Sequence, residues 1–434
     1  MSEEGVGERS ELRDPDDERR GNPAPGVEAT ADVAGRGAPP GPAPRGRLLI
    51  LIAALVATGI GQSLVFAILA PLGREVGLVE VQITTIIALS ALVFAVASPF
   101  WGRRSDRAGR KPVILIGLLG YTVGTVLFTS VFLAGLSGLL SGLTLYVVAM
   151  VARCSQSMIM SATMPATTAY AADITAPAER TSAMAKLGTA NSLGMILGPA
   201  VAGALATFGL LAPLYFAGAL AAAAALLVWR ALPALPAAQR RSQPRPKRLR
   251  YLDPRIRRFV LTAVALFTGF SAIQQTLGFQ LQDRLDLDGV RTAQYTGVAL
   301  MVSAVFTFGI QVTVMQRLKL PPRVFVRTGL ASLGLGSLLV ATYNGFTVLA
   351  IAMALLGAGL GLCMPAITAG ASLAVGPEEQ GGAAGVISAC PAVGFVAGPV
   401  IGGLLYPVAP SGPALFSVAM MVATIGLLMG TARR

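Results

Sequence analysis

The sequence predicts an all-α integral membrane protein with twelve transmembrane helices in two pseudo-symmetric six-helix bundles. Three observations carry this. The 434 residues are 54% hydrophobic and only 13% charged, outside the range of an ordinary soluble fold of that size. Twelve apolar stretches follow one another, each near the 20 residues that cross roughly 30 Å of hydrocarbon as a helix. Finally, segments of the second half repeat segments of the first at one fixed offset.

Residues 1–47 stand apart, with ten acids, seven bases, many Pro and Gly, no aromatic and no Ile. So little apolar surface cannot offset the entropy of ordering, and the apolar core of a cleavable signal is missing. A disordered cytoplasmic tail is expected. The spans then fall near 48–70, 80–101, 113–134, 139–163, 183–208, 211–231, 258–281, 293–316, 324–342, 346–370, 382–406 and 413–430. They are expected to be helices because backbone amides in lipid must be satisfied within their own segment, and because such runs are too long for barrel strands. The domains expected are an N-terminal bundle over 48–231, a basic cytoplasmic linker over 232–257, a C-terminal bundle over 258–430 and a cytoplasmic end at 431–434.

Lys and Arg set the orientation, since cytoplasmic loops retain positive charge during insertion. The loops after spans 2, 4, 6 and 8, with the terminal TARR, carry 23 basic residues, whereas the loops of the other side carry only Arg74, Arg284 and Arg291. Both termini are therefore expected in the cytoplasm, together with the stretch GRRSDRAGRK at 102–111. The net charge of +13, or +16 without the tail, reads as membrane orientation and attraction to anionic lipid, with no nucleic-acid partner. A multi-pass monomer of the plasma (inner) membrane is expected.

The repeat has an offset of 200 residues. MPATTA at 164–169 matches MPAITA at 364–369, Pro177 and Glu179 match Pro377 and Glu379, and GMILGPAVAG at 194–203 matches GFVAGPVIGG at 394–403. Spans 4 and 5 therefore read as duplicated in spans 10 and 11, the arrangement of a transporter that rocks about a site near the midplane.

On these residues the chain resembles the major facilitator superfamily, and within it the twelve-span drug:proton antiporters of the multidrug efflux type, over residues 48–430. The family's loop 2–3 signature, G-x-L-A-D-R-x-G-R-K, is met by Gly102, Asp106, Arg107, Gly109, Arg110 and Lys111, with Arg104 in place of Leu. Its span 4 signature is met by Arg153 and Gln156, with Ser157 in place of Gly. Its span 5 exporter signature, G-x-x-x-G-P-x-x-G-G, is met by Gly194, Gly198, Pro199 and Gly203, with Ala202 departing, and in span 11 by Gly394, Gly398, Pro399, Gly402 and Gly403. The resemblance implies a secondary active exporter of small amphipathic organic molecules that works by alternating access in exchange for protons.

Each motif also has a reading of its own. Gly102 and Gly109 permit a tight reversal between spans 2 and 3, anchored by basic residues at the membrane face. Asp106 could meet the positive N-terminus of a neighbouring helix in one conformation. The resemblance makes it a latch, and the alternative is a solvated anchor. Arg153, well inside span 4, cannot lose its proton and must face water or partners. The resemblance links it to proton coupling, yet no acid lies deep in any span: Glu75, Glu80, Asp173 and Asp283 all sit near edges. The glycines of spans 5 and 11 allow close helix approach, and Pro199 and Pro399 invite bending.

Gln62, Asn191, Gln274 and Gln275, with Phe267 and Phe270, are the candidate substrate cavity. Such amides and aromatics suit a neutral or weakly charged amphiphile better than a sugar phosphate. Gln311 and Phe279 belong to the same polar and aromatic set. An enzyme is not expected, because the chain has no histidine and no phosphate-binding glycine loop, and neither a cofactor nor a metal site is expected. The three cysteines lack metal spacing. The alternatives are an importer or facilitator of a small neutral solute and a non-transporting receptor of the same fold.

Overall fold

The computed structural model describes residues 45–176, 178–235, 249–318 and 320–430. The expected tail up to residue 44, linker residues 236–248, Pro177 of the repeat, Lys319 and the 431–434 end lie outside the described residues. Among those described, twelve helical segments are long and apolar enough to cross a membrane. They are span 1 (Gly46–Glu75), span 2 (Glu80–Ala108), span 3 (Arg110–Leu136), span 4 (Gly142–Ile174), span 5 (Arg180–Phe208) and span 6 (Ala212–Ala231), followed by span 7 (Arg257–Leu285), span 8 (Gly289–Arg317), span 9 (Pro322–Thr342), span 10 (Phe346–Leu373), span 11 (Pro377–Leu405) and span 12 (Gly412–Met429). The apolar runs locate every crossing. Several helices extend past them, because polar residues at helix ends keep their backbone hydrogen bonds beyond the hydrocarbon.

Two local departures have identifiable causes. Span 2 runs through Gly102 to Ala108, so Gly102 lies inside a helix and takes no part in a reversal. The turn is made by Gly109 alone, at φ +102°, with its N–H donating to the Ser105 carbonyl. Nothing between Arg103 and Ala108 breaks a helix, whereas a positive φ suits glycine. Span 4 is interrupted at Ser161–Ala162, between helices Gly142–Met160 and Thr163–Ile174. Pro165 has no N–H to offer the Ser161 carbonyl, so the break falls where a helical hydrogen bond is already missing. Its repeat partner Pro365 lies in a continuous helix, Phe346–Leu373.

Packing divides the spans into two bundles. One core draws its buried members from Ile256 to Met421, spans 7–12. A second runs from Leu51 to Leu232, in the first six spans. A third, around Leu64, Phe128 and Phe132, also takes in Phe279, Ala293 and Tyr406 from the other bundle. The outer surface is apolar, with Val96, Val123, Ile351 and Val422 exposed, as expected where hydrocarbon is the solvent.

The exporter-signature glycines make close helix contacts, and they do so twice. A Cβ at Gly194 would lie 2.9 Å from the Ile60 amide of span 1, and one at Gly394 would lie 2.9 Å from the Thr268 amide of span 7. The Ser271 hydroxyl donates to the Gly394 carbonyl at 2.8 Å, and the Ser63 hydroxyl approaches the Gly194 carbonyl at 3.4 Å. About two and a half turns further on, the same helices cross to the opposite bundle. A Cβ at Gly203 would lie 3.2 Å from Gln294 of span 8, and one at Gly403 would run into Thr84 of span 2. A Cβ at Gly278 of span 7 would likewise lie 2.6 Å from Ala70 of span 1. These contacts between bundles all lie toward the end that carries Arg74. Toward the end that carries residues 102–111, Gly188, Gly309 and Gly385 meet nothing within 4 Å. Among the described residues, these close glycine contacts between bundles thus gather at one end.

This asymmetry is testable. Gly297→Val would push a side chain into the Pro199 carbonyl and Gly203, an overpacking cost of about 1–3 kcal/mol, and should lower the thermal unfolding midpoint in detergent. Gly188→Ala enters open space and should leave the midpoint unchanged or raise it, by at most the ~1 kcal/mol that Ala gains over Gly in a helix. An unaltered midpoint for Gly297→Val would show that spans 5 and 8 do not meet there.

Candidate functional site

Between the bundles lies a cavity of about 760 Å³. It is walled by spans 1, 2, 4, 5, 7 and 11, and it reaches Ser98, Pro99, Tyr251 and Val260, on the side of the 102–111 stretch. A second chamber of about 350 Å³ continues beside it toward spans 8 and 10. The two share Phe66, Met195 and Phe395. The Phe66 and Phe395 rings stack across the bundle boundary with centroids 6.2 Å apart and planes 7° from parallel, and Phe267 adjoins Phe395 at 6.1 Å.

Of the expected cavity residues, Gln62 lines the larger chamber, and Phe267, Phe270 and Gln274 line the smaller, as does Gln311. Asn191 and Gln275 line neither of these two chambers. Gln275 is buried among helices while its neighbour Gln274 takes the cavity side, because successive residues on one helix point in different directions. Phe279 is also elsewhere, fully buried beside Tyr406. Sequence reasoning missed Phe66, Met195 and Phe395. The repeat held the signal for two of them, since Met195 and Phe395 each follow the first glycine of the duplicated signature.

Arg153 lines the larger cavity and is 6% exposed. Its Nη1 donates to Gln156 Oε1 at 2.5 Å, and Gln156 Nε2 donates to Thr125 Oγ1 at 2.6 Å, which fixes the amide orientation. The guanidinium carbon lies 5.5 Å from the centroid of the Phe128 ring, within cation–π range. Arg153 Nε, buried as well, has no partner.

The 102–111 stretch is organised around Arg110, which is buried. Its Nε donates to Asp173 Oδ2 at 3.0 Å and its Nη1 to Ser105 Oγ at 2.8 Å and to Asp106. Lys111 Nζ donates to the Trp229 carbonyl at 2.7 Å, tying span 3 to span 6. Asp106, with a side chain 61% exposed, pairs with Arg110 of the same stretch.

The closed end carries a cluster that the charge count treated only as exceptions. Arg74, at the end of span 1, pairs with Glu80 at 2.5 Å and, across the bundle boundary, with Asp283 of span 7 at 2.6 Å. It also donates to Gln282 Oε1 at 3.3 Å and sits 4.9 Å from the Phe279 ring centroid. The Tyr406 hydroxyl, at the end of span 11, donates to Asp283 Oδ2 at 2.5 Å. Burial and the bond to Asp283 both push the Tyr406 phenol above its usual pKa, so it keeps its proton and remains a donor. Spans 1, 7 and 11 are thereby tied together at one point.

Among known proteins, multidrug resistance protein 2 of Bacillus subtilis is 27% identical over 396 residues, covering 88% of this chain and 94% of that protein. The class E tetracycline resistance protein of Escherichia coli is 28% identical over 380 residues, covering 83% and 87%. Among solved structures, a bacterial homologue of the iron transporter ferroportin in an inward-facing state superposes with a TM-score of 0.69 at 16% identity, covering 90% of this chain and 99% of that one. The model of the Major Facilitator Superfamily matches residues 51–320. With its twelve spans, its duplicated helix pairs and a cavity between two bundles, this chain belongs to the Major Facilitator Superfamily.

Proposed function

We propose that the chain is a secondary active exporter of small amphipathic organic molecules that alternates between a state open at the 102–111 end and a state open at the Arg74 end. The observation that carries this reading is the cavity, about 760 Å³ in volume, lined by aromatic, methionine and amide groups and reaching toward one end only. Its size and lining suit a drug-sized organic molecule. The similarity to proteins named for multidrug and tetracycline resistance supports expulsion as the direction. The excess of Lys and Arg on one side supports a cytoplasmic position for the 102–111 end and both termini.

In this cycle the Arg74, Asp283 and Tyr406 cluster holds the far end shut while cargo enters. Asp106, exposed and bonded only within its own stretch, is the group placed to change partners when the near end closes. The small residues of spans 5 and 11 let the bundles slide without steric obstruction. Exchange for protons is the coupling that the Arg153 and Gln156 signature implies. Among the described residues no carboxylate lines either chamber, so a proton carrier would lie outside the cavity.

Cells that express the protein should accumulate less of a fluorescent amphiphile than cells without it, and should lose that difference when the membrane is de-energised. Equal accumulation would sink the export reading, and greater accumulation would favour an importer. For the closed end, Arg74→Gln leaves Asp283 without its cation, a loss of about 1.5–3 kcal/mol for a charged hydrogen bond. In that variant a cysteine at the fully buried Thr296 should react with a membrane-impermeant thiol reagent about tenfold faster. An unchanged rate would mean that the ion pair does not hold that end. The orientation is checked by Arg104→Cys, which should react with the same reagent only after intact cells are permeabilised.

A further inference from the structure

Among the described residues, the cavity lining holds one fixed charge. Arg153 is 94% buried at its wall, and a guanidinium does not deprotonate in a protein. Its contacts, the Gln156 carbonyl oxygen and the Phe128 ring, bear no formal charge, and its Nε has no partner. The other polar groups along the larger chamber, Gln62, Ser90, Ser98, Ser157 and the Tyr251 phenol, are neutral, and so are those of the smaller. The carboxylates nearest the spans lie at the ends, away from the cavity: Asp173 pairs with Arg110, Asp283 and Glu80 pair with Arg74, Glu379 pairs with Arg255, and Glu75 closes span 1 beside Gly289. A cation held in a low-dielectric site without a counter-charge is costly, and the cost falls when an anion is placed beside it.

We propose that the cargo is an organic anion, an amphiphile bearing one carboxylate, sulfonate or phosphate. The acidic group sits against Arg153, and the apolar body lies among Phe66, Phe94 and Phe395. This names the substrate class of the export site and rests on that reading. A neutral cargo would leave the guanidinium as uncompensated as it is in the empty cavity, and a cation would meet like charge in a site with no carboxylate to answer it.

The proposal also accounts for the missing acid. A loaded cavity is neutral and an empty one carries +1. Expulsion of a monovalent anion from a cell that is negative inside is driven by the membrane potential, about 50-fold per 100 mV. The return of the empty, positively charged cavity toward the inside runs down the same potential. For such a cargo the cavity needs no titrating residue.

The test uses the full-length protein in nanodiscs of neutral phosphatidylcholine, with 8-anilinonaphthalene-1-sulfonate as the anionic probe and rhodamine 6G as the cationic one, and binding measured by equilibrium dialysis. The native protein should bind the anion at least tenfold more tightly than the cation. Arg153→Gln should weaken the anion at least tenfold without weakening the cation, Arg153→Lys should keep most of the preference, and Ser157→Asp, which sets a carboxylate one helical turn from Arg153, should abolish it. Tighter or equal binding of the cation by the native protein would overturn the proposal, as would an unchanged ratio in a folded Arg153→Gln. If Arg153→Gln does not fold, persistence of the preference in Ser157→Asp overturns it. Vesicle transport separates the two readings. Movement of both probes without charge preference overturns the anion assignment and leaves export standing, whereas charge-selective binding without any movement overturns export alone.

Discussion

A charged side chain at the centre of a bilayer costs on the order of 3 kcal/mol or more, and the arrangement of this molecule follows from where it accepts that cost. At both ends of the bundles charges are paired, Arg110 with Asp173 at one and Arg74 with Asp283 at the other. Neither pair is deep; the first joins the consecutive spans 3 and 4, and the second joins span 1 to span 7 across the bundle boundary. Arg153 alone lies in the middle, inside a wall of neutral groups. The closed end, the open end and the central cavity are thus each marked by a different treatment of positive charge.

The second constraint is steric. Helices in lipid gain little from burying apolar surface against one another, so association depends on close packing. Spans 5 and 11 supply it with glycines that bring carbonyls and amides of spans 1 and 7 within contact distance. Further along, the same two helices reach the opposite bundle. Because intra-bundle and inter-bundle contacts share these helices, a tilt of one bundle can be absorbed along surfaces that carry no protruding side chain. The paired Ser63 and Ser271 hydroxyls, each directed at a carbonyl of the partner helix, repeat the same joint in both halves.

Much of this was legible in the residues. Hydropathy located all twelve crossings, because a long apolar run has few other uses, and the 200-residue offset identified the helices that pack alike. Arg153 was legible as an anomaly of charge. The helix through Gly102 was not, since a glycine reads as a turn until the chain around it is known to stay helical. Asn191 and Gln275 could not be told apart from the lining residues, because a polar residue in a span reveals its depth but not its face. The Arg74 cluster was hidden for a different reason. Its partners are 209 residues away at Asp283 and farther still at Tyr406, and no local pattern connects them.

The account centres on two bundle ends that open and close in opposition. Spin labels in a cysteine-free background at Phe208 and Val408, and at Arg103 and Leu373, would report one end each by pulsed electron–electron distance measurement in nanodiscs, with and without 8-anilinonaphthalene-1-sulfonate. The account predicts that a lengthening of the first distance is accompanied by a shortening of the second. Distances that lengthen together, or a single end that moves while the other stays fixed, would contradict it.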